Sequence, residues 1–272
     1  MNLDKLPIVY SDQQRDLIVP GDADTTVRFC VEHFIATCHR ALKHHDNFYV
    51  ALSGGSTPKA IFTHLSNPAY AAQVDWKRVH LFWSDERSVP PDHPDSNYRM
   101  AMDAGLAKVS LLPPHIHRMC AEDNIAQNAL EYEQTIQKTL KGRPFDLVML
   151  GMGDDGHTAS LFPGTQALEI KSRLVTENYI PEKKTWRMTL TFECINQAGH
   201  TAIYVLGVAK QTRLVDIFFP STPDENLPAM RVGTPECHAL WIADRDAAKL
   251  LLSHTPALTP RQGQQSCAKE NT

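Results

Sequence analysis

The stretch DLVMLGMGDDGHTASLFPGT, residues 146–165, decides the fold class, because an apolar strand pattern runs straight into a turn of glycines and charged side chains. Its apolar part, LVML, lacks polar alternation, as expected of a parallel strand covered on both faces. The residues that follow the strand include Asp154, Asp155 and His157. Such residues make poor core material, so we expect the turn to bind a ligand.

Four other apolar runs have the same character: FYVALSGG (48–55), VHLFWSDE (79–86), TAIYVLGV (201–208) and HALWIAD (238–244). Helical stripes lie between these runs, for example Val27, Cys30, Val31, Phe34 and Ile35. Alternating strands and helices predict an α/β fold with a doubly wound, mainly parallel sheet and helices on both faces. Two more strands are predicted at RLVTENYI (173–180) and WRMTLTF (186–192), and a surface helix at residues 122–141.

The bulk composition favours one domain of residues 1–252 followed by a flexible polar tail of residues 253–272. A formal net charge of -4 offers no basic field for nucleic acid. None of the six cysteines forms a C-x-x-C pair, which argues against a zinc site and a disulfide framework and fits a reduced cytoplasm. No secretion signal or membrane-spanning run is evident.

Ligands of doubly wound folds bind at the carboxyl edge of the sheet, so the loops there carry the functional prediction. The first loop is SGGST, which leads into a helix near Pro58. Its glycines let the backbone bend close to a ligand, and its N–H groups and hydroxyls suit an anion. The residues in question are Gly54, Gly55, Ser56 and Thr57. An ordinary capped turn is the alternative.

Two further loops add charge to the same edge. Asp85, Glu86 and Arg87 end the second strand, and of these we expect Arg87 to contact a ligand. Ser96 is expected to be an ordinary helix cap. Lys210 begins a helix after the strand at 201–208, where it is placed to meet a phosphate dianion, although a solvated surface lysine is the alternative.

The turn GMGDDGHTASLFPGT, residues 151–165, is expected to supply the general base. His157 is expected to precede a helix that begins at residues 158–162, whose N-terminus would favour the neutral imidazole that a general base requires. Asp155, two residues earlier, is placed to orient the ring. A histidine that merely caps or packs is the alternative.

Four motifs, SGGSTPKAIF, WSDERSVPPDHPDSNYRM, DLVMLGMGDDGHTASLFPGT and RMTLTFECINQA, together resemble the 6-phosphogluconolactonase family over residues 27–252. The resemblance implies a cytosolic hydrolase that uses no metal or cofactor and opens 6-phospho-D-glucono-1,5-lactone in the pentose phosphate pathway. It implies the fold of glucosamine-6-phosphate deaminases and ribose-5-phosphate isomerases. The family's catalytic histidine falls on His157, its glycine-rich loop on residues 54–57, its arginine on Arg87 and its lysine on Lys210.

A δ-lactone needs an activated water and a stabilised oxyanion. His157 would take the proton from water while Asp155 holds the imidazole. Arg87 or a backbone N–H would meet the oxyanion, or Arg87 would meet the phosphate instead. Residues 55–57 and Lys210 would grip the phosphate. Gly153 and Asp85 complete the residues expected to line the substrate site.

Two other functions are weighed against lactone hydrolysis. Glucosamine-6-phosphate deaminases carry a glutamate where this chain has Phe162, so their acid–base relay would be incomplete here, although Asp85 matches their proton-abstracting aspartate. A phosphosugar-sensing domain of a transcription regulator would need a DNA-binding helical domain, and the segments outside residues 27–252 are expected to be too short or too polar for one. The expected partner is therefore a small phosphosugar lactone, with no nucleic acid or membrane, in a monomer or small homo-oligomer.

Overall fold

The computed structural model describes residues 1–222 and 227–254, and in these residues the chain forms ten strands and eight α-helices. The strands are β1 (Ile8–Ser11), β2 (Arg15–Ile18), β3 (Phe48–Leu52), β4 (Val79–Trp83), β5 (Asp85–Arg87), β6 (Leu147–Gly151), β7 (Val175–Ile180), β8 (Thr185–Leu190), β9 (Thr201–Val205) and β10 (Ala239–Ala243). The helices are α1 (Ala23–His44), α2 (Ser56–Leu65), α3 (Pro68–Ala71), α4 (Asn97–Asp103), α5 (Ile125–Leu140), α6 (Phe192–Asn196), α7 (Gln211–Phe218) and α8 (Arg245–His254).

The main sheet has seven strands in the order β1-β2-β10-β9-β6-β3-β4. Its neighbouring strands run parallel except β1, which pairs antiparallel with β2. From β3 the chain moves outward to β4, whereas from β6 it moves the opposite way through β9 and β10. The strand order therefore reverses between β3 and β6, and a ligand crevice is expected above their carboxyl ends. The predicted doubly wound, mainly parallel sheet is confirmed.

Helices cover both faces of this sheet. Phe34 of α1 contacts Phe48 edge-on, with ring centroids 5.5 Å apart. Tyr132 of α5 approaches Phe82 at 6.1 Å. Phe48 pairs with Val79 in the register of β3 and β4, so Phe82, three residues further along, points to the opposite face. The predicted surface helix at 122–141 is α5, although it begins three residues later.

A second, three-stranded antiparallel sheet has the order β5-β8-β7. The two strands predicted at 173–180 and 186–192 are β7 and β8 of this sheet rather than members of the main one. The strand predicted over 79–86 breaks at Ser84, whose N–H donates to Leu52 O (2.7 Å) in the main sheet. Its carbonyl accepts from Leu190 N (2.8 Å) in the small sheet. The chain thus changes sheets at one residue, which an apolar pattern does not reveal.

Two segments differ from the sequence expectations. β1 and β2 were not predicted, because each has only four residues and most of these are half-buried. At the other end, α8 ends at His254, so residues 253 and 254 of the predicted tail belong to a helix. The remainder of that tail lies outside the described residues, and its flexibility stays a prediction. None of the described helices is long and apolar enough to cross a membrane.

Candidate active site

Three loops meet above the carboxyl ends of β3, β4 and β6. Gly54 approaches the Asn97 side chain so closely that a Cβ on this glycine would lie 1.9 Å from Oδ1. Asn97 Nδ2 donates to Asp85 Oδ1 at 3.2 Å, and Asp85 Oδ2 accepts from Ser160 Oγ at 2.7 Å. Ser160 lies three residues after His157. This chain of contacts brings the glycine-rich loop, the second strand end and the histidine turn into one cleft.

Asp155 and His157 form a close pair at the end of β6. His157 Nδ1 and Asp155 Oδ1 are 2.5 Å apart, and the His157 backbone N–H donates to the same oxygen at 3.1 Å. Because Nδ1 is occupied by the carboxylate, Nε2 is the nitrogen left for chemistry. About a quarter of the His157 side chain is exposed (25%), so solvent and a small substrate can reach the ring. The structure thus brings together the two residues that the sequence analysis paired, and their joint catalytic role stays a prediction.

The charge on Asp155 is strongly favoured. Burial by itself would raise the pKa of this carboxyl, but the hydrogen bonds and charge of His157 outweigh burial and lower the pKa to about 2. Asp155 therefore stays ionised and acts as an acceptor throughout the neutral range. An ionised carboxylate at Nδ1 suits an imidazole that carries its proton on that nitrogen.

Gly153 makes room for this pair rather than offering an obvious contact to a ligand. A Cβ at Gly153 would lie 2.1 Å from His157 Nδ1 and 2.7 Å from Asp155 Oδ1. The Gly153 N–H donates to the His157 carbonyl at 2.8 Å, which closes the turn. A side chain at this position would push the ring out of place, so the glycine is required by the histidine.

The helix predicted to begin at 158–162 is absent, and this part of the sequence analysis was wrong. Ala159 has a left-handed φ of +48°, and Thr158 and Leu161 form an isolated antiparallel bridge. Both features belong to a turn, so no helix dipole acts on His157. Phe162 contacts the ring instead, stacked with centroids 3.9 Å apart and planes 20° apart. An aromatic face thus sets the ring plane where a helix end was expected.

Arg87 and Arg187 lie side by side on the small sheet, as register partners of β5 and β8. Arg87 Nη1 donates to the Asp95 carbonyl at 2.7 Å. The Nε atom of Arg87, and Nε and Nη1 of Arg187, are buried and have no hydrogen-bond partner among the described residues. Burial, followed by the charge of Arg87, lowers the pKa of Arg187. Two adjacent guanidinium groups with unused N–H donors form a site for a doubly charged anion.

These arginines face the histidine turn. Residues two apart on a strand share a face, so Arg87 shares a face with Asp85, and Arg187 with Thr189. Both of those neighbours contact Ser160: Asp85 accepts from its hydroxyl, and Thr189 Oγ1 accepts from its N–H at 3.2 Å. The arginine pair therefore lies on the side of the small sheet that covers residues 158–161.

Lys210 reaches the same turn from the end of β9. Its Nζ lies 2.5 Å from Asp154 Oδ1, and Asp154 is 80% exposed. Arg213 Nε donates to the Asp154 carbonyl at 2.9 Å. A phosphate would compete with this exposed carboxylate for the ammonium group, so the Asp154 contact does not prevent Lys210 from binding a ligand.

The glycine-rich loop opens α2 without a side-chain cap. Gly55 precedes the helix with a φ of +101°, and no side chain accepts from the first-turn N–H groups. Ser56 and Gly55 are exposed and Thr57 is half-buried. Uncapped amides at a helix start have the donors that suit an anion, and anion binding by this loop stays a prediction.

In the described part of the chain, no cluster of three or more His, Cys, Asp or Glu side chains is arranged to hold a metal ion. Four cysteines of that part are free thiols: Cys30, Cys38, Cys120 and Cys194.

With this geometry in place, comparison with known proteins assigns the family. A family profile described as glucosamine-6-phosphate isomerases/6-phosphogluconolactonase matches residues 21–241, which is most of the chain. The chain belongs to this glucosamine-6-phosphate isomerase/6-phosphogluconolactonase family. The resemblance stated from the four sequence motifs is confirmed.

Relatives in this family are similar over most of their length. The 6-phosphogluconolactonase of Nostoc sp. is 40% identical over 213 residues, covering 76% of this chain and 86% of the relative. The 6-phosphogluconolactonase of Chlamydia muridarum is 39% identical over 242 residues, covering 89% and 92%. The solved 6-phosphogluconolactonase of Thermotoga maritima matches with a TM-score of 0.72 at 31% identity, covering 84% of this chain and 98% of that one.

Phe162 helps to distinguish the two activities in the family description, glucosamine-6-phosphate isomerase and 6-phosphogluconolactonase. The sequence analysis placed it opposite the glutamate of the deaminases, and in the structure its ring lies directly against His157. Phe162 is 4% exposed and carries no proton to exchange. The imidazole of this family member is thus flanked by one carboxylate and one aromatic ring.

Two acidic residues of the second loop are more buried than their sequence position suggested. Asp85 is 6% exposed and Glu86 2% exposed. Glu86 accepts hydrogen bonds from the backbone N–H groups of Asn97 and Tyr98, and so serves the start of α4. Ser96 caps the same helix by accepting from Arg99 N at 3.1 Å, as predicted.

Sequence reasoning missed Arg187 as a site residue. It lies in WRMTLTF, a motif that was recognised, and the alternation of that strand could have placed Arg187 and Thr189 on one face. The alternation did not show that Arg187 lies beside Arg87, because the pairing of β8 with β5 joins residues about a hundred positions apart. Only that pairing shows that two arginines become neighbours.

Proposed function

We infer that this protein hydrolyses 6-phospho-D-glucono-1,5-lactone to 6-phospho-D-gluconate, the lactonase step of the pentose phosphate pathway. Its relatives at 39–40% identity are named for that activity. The observation that carries the inference is the Asp155–His157 pair, held at 2.5 Å in a cleft that also contains unpaired cationic donors. A base and an anion site in one cleft are what a phosphorylated lactone requires.

His157 acts as the general base in this proposal. Nε2 accepts a proton from water as the water oxygen attacks the lactone carbonyl, and Asp155 stabilises the resulting imidazolium through Nδ1. The tetrahedral intermediate then expels the ring oxygen, which takes up the proton from Nε2. Water supplies the added OH and H, so the acid and the free hydroxyl are formed with no covalent enzyme intermediate.

The cationic groups are proposed to bind the phosphate and to stabilise the oxyanion. The phosphate needs a site away from the reacting carbonyl, so that its binding holds the lactone in position against the water. Arg87, Arg187 and Lys210, with the amides of residues 55–57, are the groups proposed to bind it. The oxyanion is met by a backbone N–H of a glycine turn or by Arg87. Asp85 is proposed to hold the cleft walls together through Ser160 and Asn97.

Deamination of glucosamine 6-phosphate fits the site less well. That reaction needs proton transfer to open the sugar ring, and the group beside His157 at the relevant position is the Phe162 ring. We also propose that the protein works in the cytoplasm, without nucleic acid, as a monomer or small homo-oligomer, in keeping with its net charge of -4.

A coupled assay with freshly generated 6-phosphogluconolactone, corrected for spontaneous hydrolysis, tests the proposal beside glucosamine 6-phosphate. We expect turnover of the lactone alone, and we expect His157→Gln to lower kcat by about 10²–10⁴-fold with an unchanged melting temperature, as for loss of a general base. Release of ammonia from glucosamine 6-phosphate, with no lactone turnover, would overturn the assignment. An undiminished kcat for His157→Gln would remove this residue from the mechanism.

A further inference from the structure

A second cavity opens at the amino edge of the main sheet, away from the catalytic cleft. It has a volume of about 490 Å³ and lies between the first residues of β3 and β4, residues 115–117 and the end of α5. Tyr49 and His80, each the second residue of its strand, form part of its wall. The catalytic loops follow the last residues of the same strands, roughly 13 Å further along at the usual rise per residue.

Three histidines dominate the wall of this cavity: His80, His115 and His117. His80 Nδ1 and His117 Nε2 are 3.1 Å apart, and their rings are nearly parallel at 7° with centroids 5.4 Å apart. A ring nitrogen lies about half a ring width from the centroid of its ring. The distance between the two centroids equals the distance between the two nitrogens plus about one ring width, so the nitrogens lie on the line between the rings and point directly at each other. One N–H donates to the other lone pair along this line, and a metal ion has no place between them.

Two further nitrogens of the cluster lack partners. His115 stacks on His80 with centroids 3.7 Å apart. His80 Nε2 and His115 Nδ1 are buried and have no hydrogen-bond partner among the described residues. Buried polar atoms without partners are uncommon in folded proteins and call for a ligand or a bound water. The cluster therefore keeps unused hydrogen-bonding capacity beside an open volume.

The charged residues of the cavity are all cationic. Lys138 and Lys141 lie exposed at its rim, and the other described lining residues are uncharged asparagine, threonine and tyrosine side chains besides the histidines. Asp146, which accepts from the Tyr49 backbone N–H, is already paired with Arg143 at 3.0 Å. Lysines at a helix end can simply offset the helix dipole, but here they also border a volume without carboxylates.

We propose that this cavity binds a small phosphate-bearing anion at a site separate from the catalytic cleft. Lys138 and Lys141 supply the charge, and the histidine cluster and its threonine neighbours supply donors of hydrogen bonds. A volume of about 490 Å³ falls in the range of small-molecule sites and accommodates a phosphorylated metabolite rather than a macromolecule.

The test is a pyrophosphate titration of the full chain at constant ionic strength, followed by the NMR signals of the three histidine side chains and by calorimetry. Pyrophosphate is expected to shift the His80, His115 and His117 signals. The double variant Lys138→Met/Lys141→Met should weaken that binding by at least about tenfold, because charge-assisted contacts to phosphate are lost. Lactone turnover without pyrophosphate should be unchanged, since neither lysine lies in the cleft.

Two controls separate this site from the cleft and from bulk charge. Lys171→Met/Lys249→Met removes the same charge from exposed positions elsewhere and should leave the titration as in the wild type. Lys210→Met should alter binding in the cleft but not the shifts of the three histidines. The proposal is overturned if these histidines do not respond to pyrophosphate, or if both lysine double variants weaken binding equally. Neither result depends on whether the cleft hydrolyses a lactone.

Discussion

Gly153 shows how strongly a single residue can be dictated by its neighbour. Its Cα lies so close to the Asp155–His157 pair that the smallest side chain would overlap the imidazole. The glycine has no left-handed backbone angle, so the requirement is close approach rather than conformation. We therefore expect the position of the His157 ring to depend on the absence of a side chain at this residue.

Gly153→Ala should lower kcat by about 10²-fold or more, nearly as far as removal of the base. The added methyl group displaces the imidazole, so that Nε2 no longer lies in position to take the proton from water. Steady-state kinetics with the phosphorylated lactone gives the value. Gly151→Ala is the matched control, since its added Cβ would have no atom within 4 Å and should leave kcat near that of the wild type. Equal kinetics for both variants would contradict this account of the turn.

Phe162 is expected to be a positioning residue for His157. Phe162→Leu keeps an apolar side chain but removes the stacked face, and it should lower kcat by about two- to tenfold with little change in KM, from the usual strength of an aromatic pair. Phe145→Leu, at a buried phenylalanine before the first residue of β6 and so at the opposite end of that strand from the cleft, should lower the melting temperature similarly while kcat holds. A loss confined to stability in both variants would leave Phe162 with a packing role alone.

At this scale the sequence analysis proposed the reactive residues and misjudged their surroundings. His157 and Asp155 were found because glycines and acids cannot serve a core. The predicted helix at 158–162 failed because Ala159 adopts a left-handed φ, which apolar spacing does not reveal. The side chain that contacts the ring, Phe162, was noted only as the replacement for a glutamate.

The small sheet is the element that concentrates charge in the cleft. Strand pairing places Arg87 next to Arg187, although like charges directly opposite each other destabilise a sheet. Asp85, Glu86 and Asp95 partly offset the repulsion, but burial and the charge of Arg87 outweigh them and lower the pKa of Arg187. We therefore expect this pair to bind the anionic group of the substrate.

Arg187→Met should raise KM for the phosphorylated lactone by about tenfold or more, because a charge-assisted contact to phosphate is lost, and change KM for glucono-1,5-lactone little. The melting temperature should hold or rise, since a buried unpaired charge is removed. Arg28→Met, at an exposed arginine of α1, serves as the control for altered net charge. An equal change in KM for both lactones would show that Arg187 does not bind the phosphate.

Element prediction succeeded where strands are long, apolar and central. The five runs that form β3, β4, β6, β9 and β10 were all assigned to the main sheet, because continuous burial leaves a clear pattern. The break at Ser84, which sends the next three residues into another sheet, has no counterpart in hydropathy. Which sheet a strand joins is decided by pairing partners distant in sequence.

The molecule as a whole should be sensitive to mild acid. Burial lowers the pKa of His33 to about 3 and, with nearby histidines or Arg40 adding to it, lowers the pKa values of His80, His117 and His200 to about 4, from a usual 6.5. Between these values the unfolded chain binds more protons than the native one. Stability is therefore complete above pH 6.5 or so and declines as the pH falls towards 4.

Urea unfolding at a series of pH values tests this behaviour, and the midpoint should fall steadily below a pH of about 6.5. Asp146 opposes the trend in part, because burial raises its pKa to about 6 and the native state then binds a proton more tightly than the unfolded one. His33→Leu should flatten the curve, whereas His44→Leu, exposed on the same helix, should not. A midpoint that is constant from neutral pH to about 5 would contradict the prediction.

The sequence by itself determined the fold class and the family and pointed to His157 as the proposed base, because buried strands and ligand-binding turns leave opposite residue patterns that are visible locally. Only the tertiary structure decided that Phe162 faces the imidazole, that Arg187 joins Arg87, and that three histidines close a second cavity. Those contacts join residues from different strands and turns, and their geometry depends on register and backbone angles that no local pattern of side chains records.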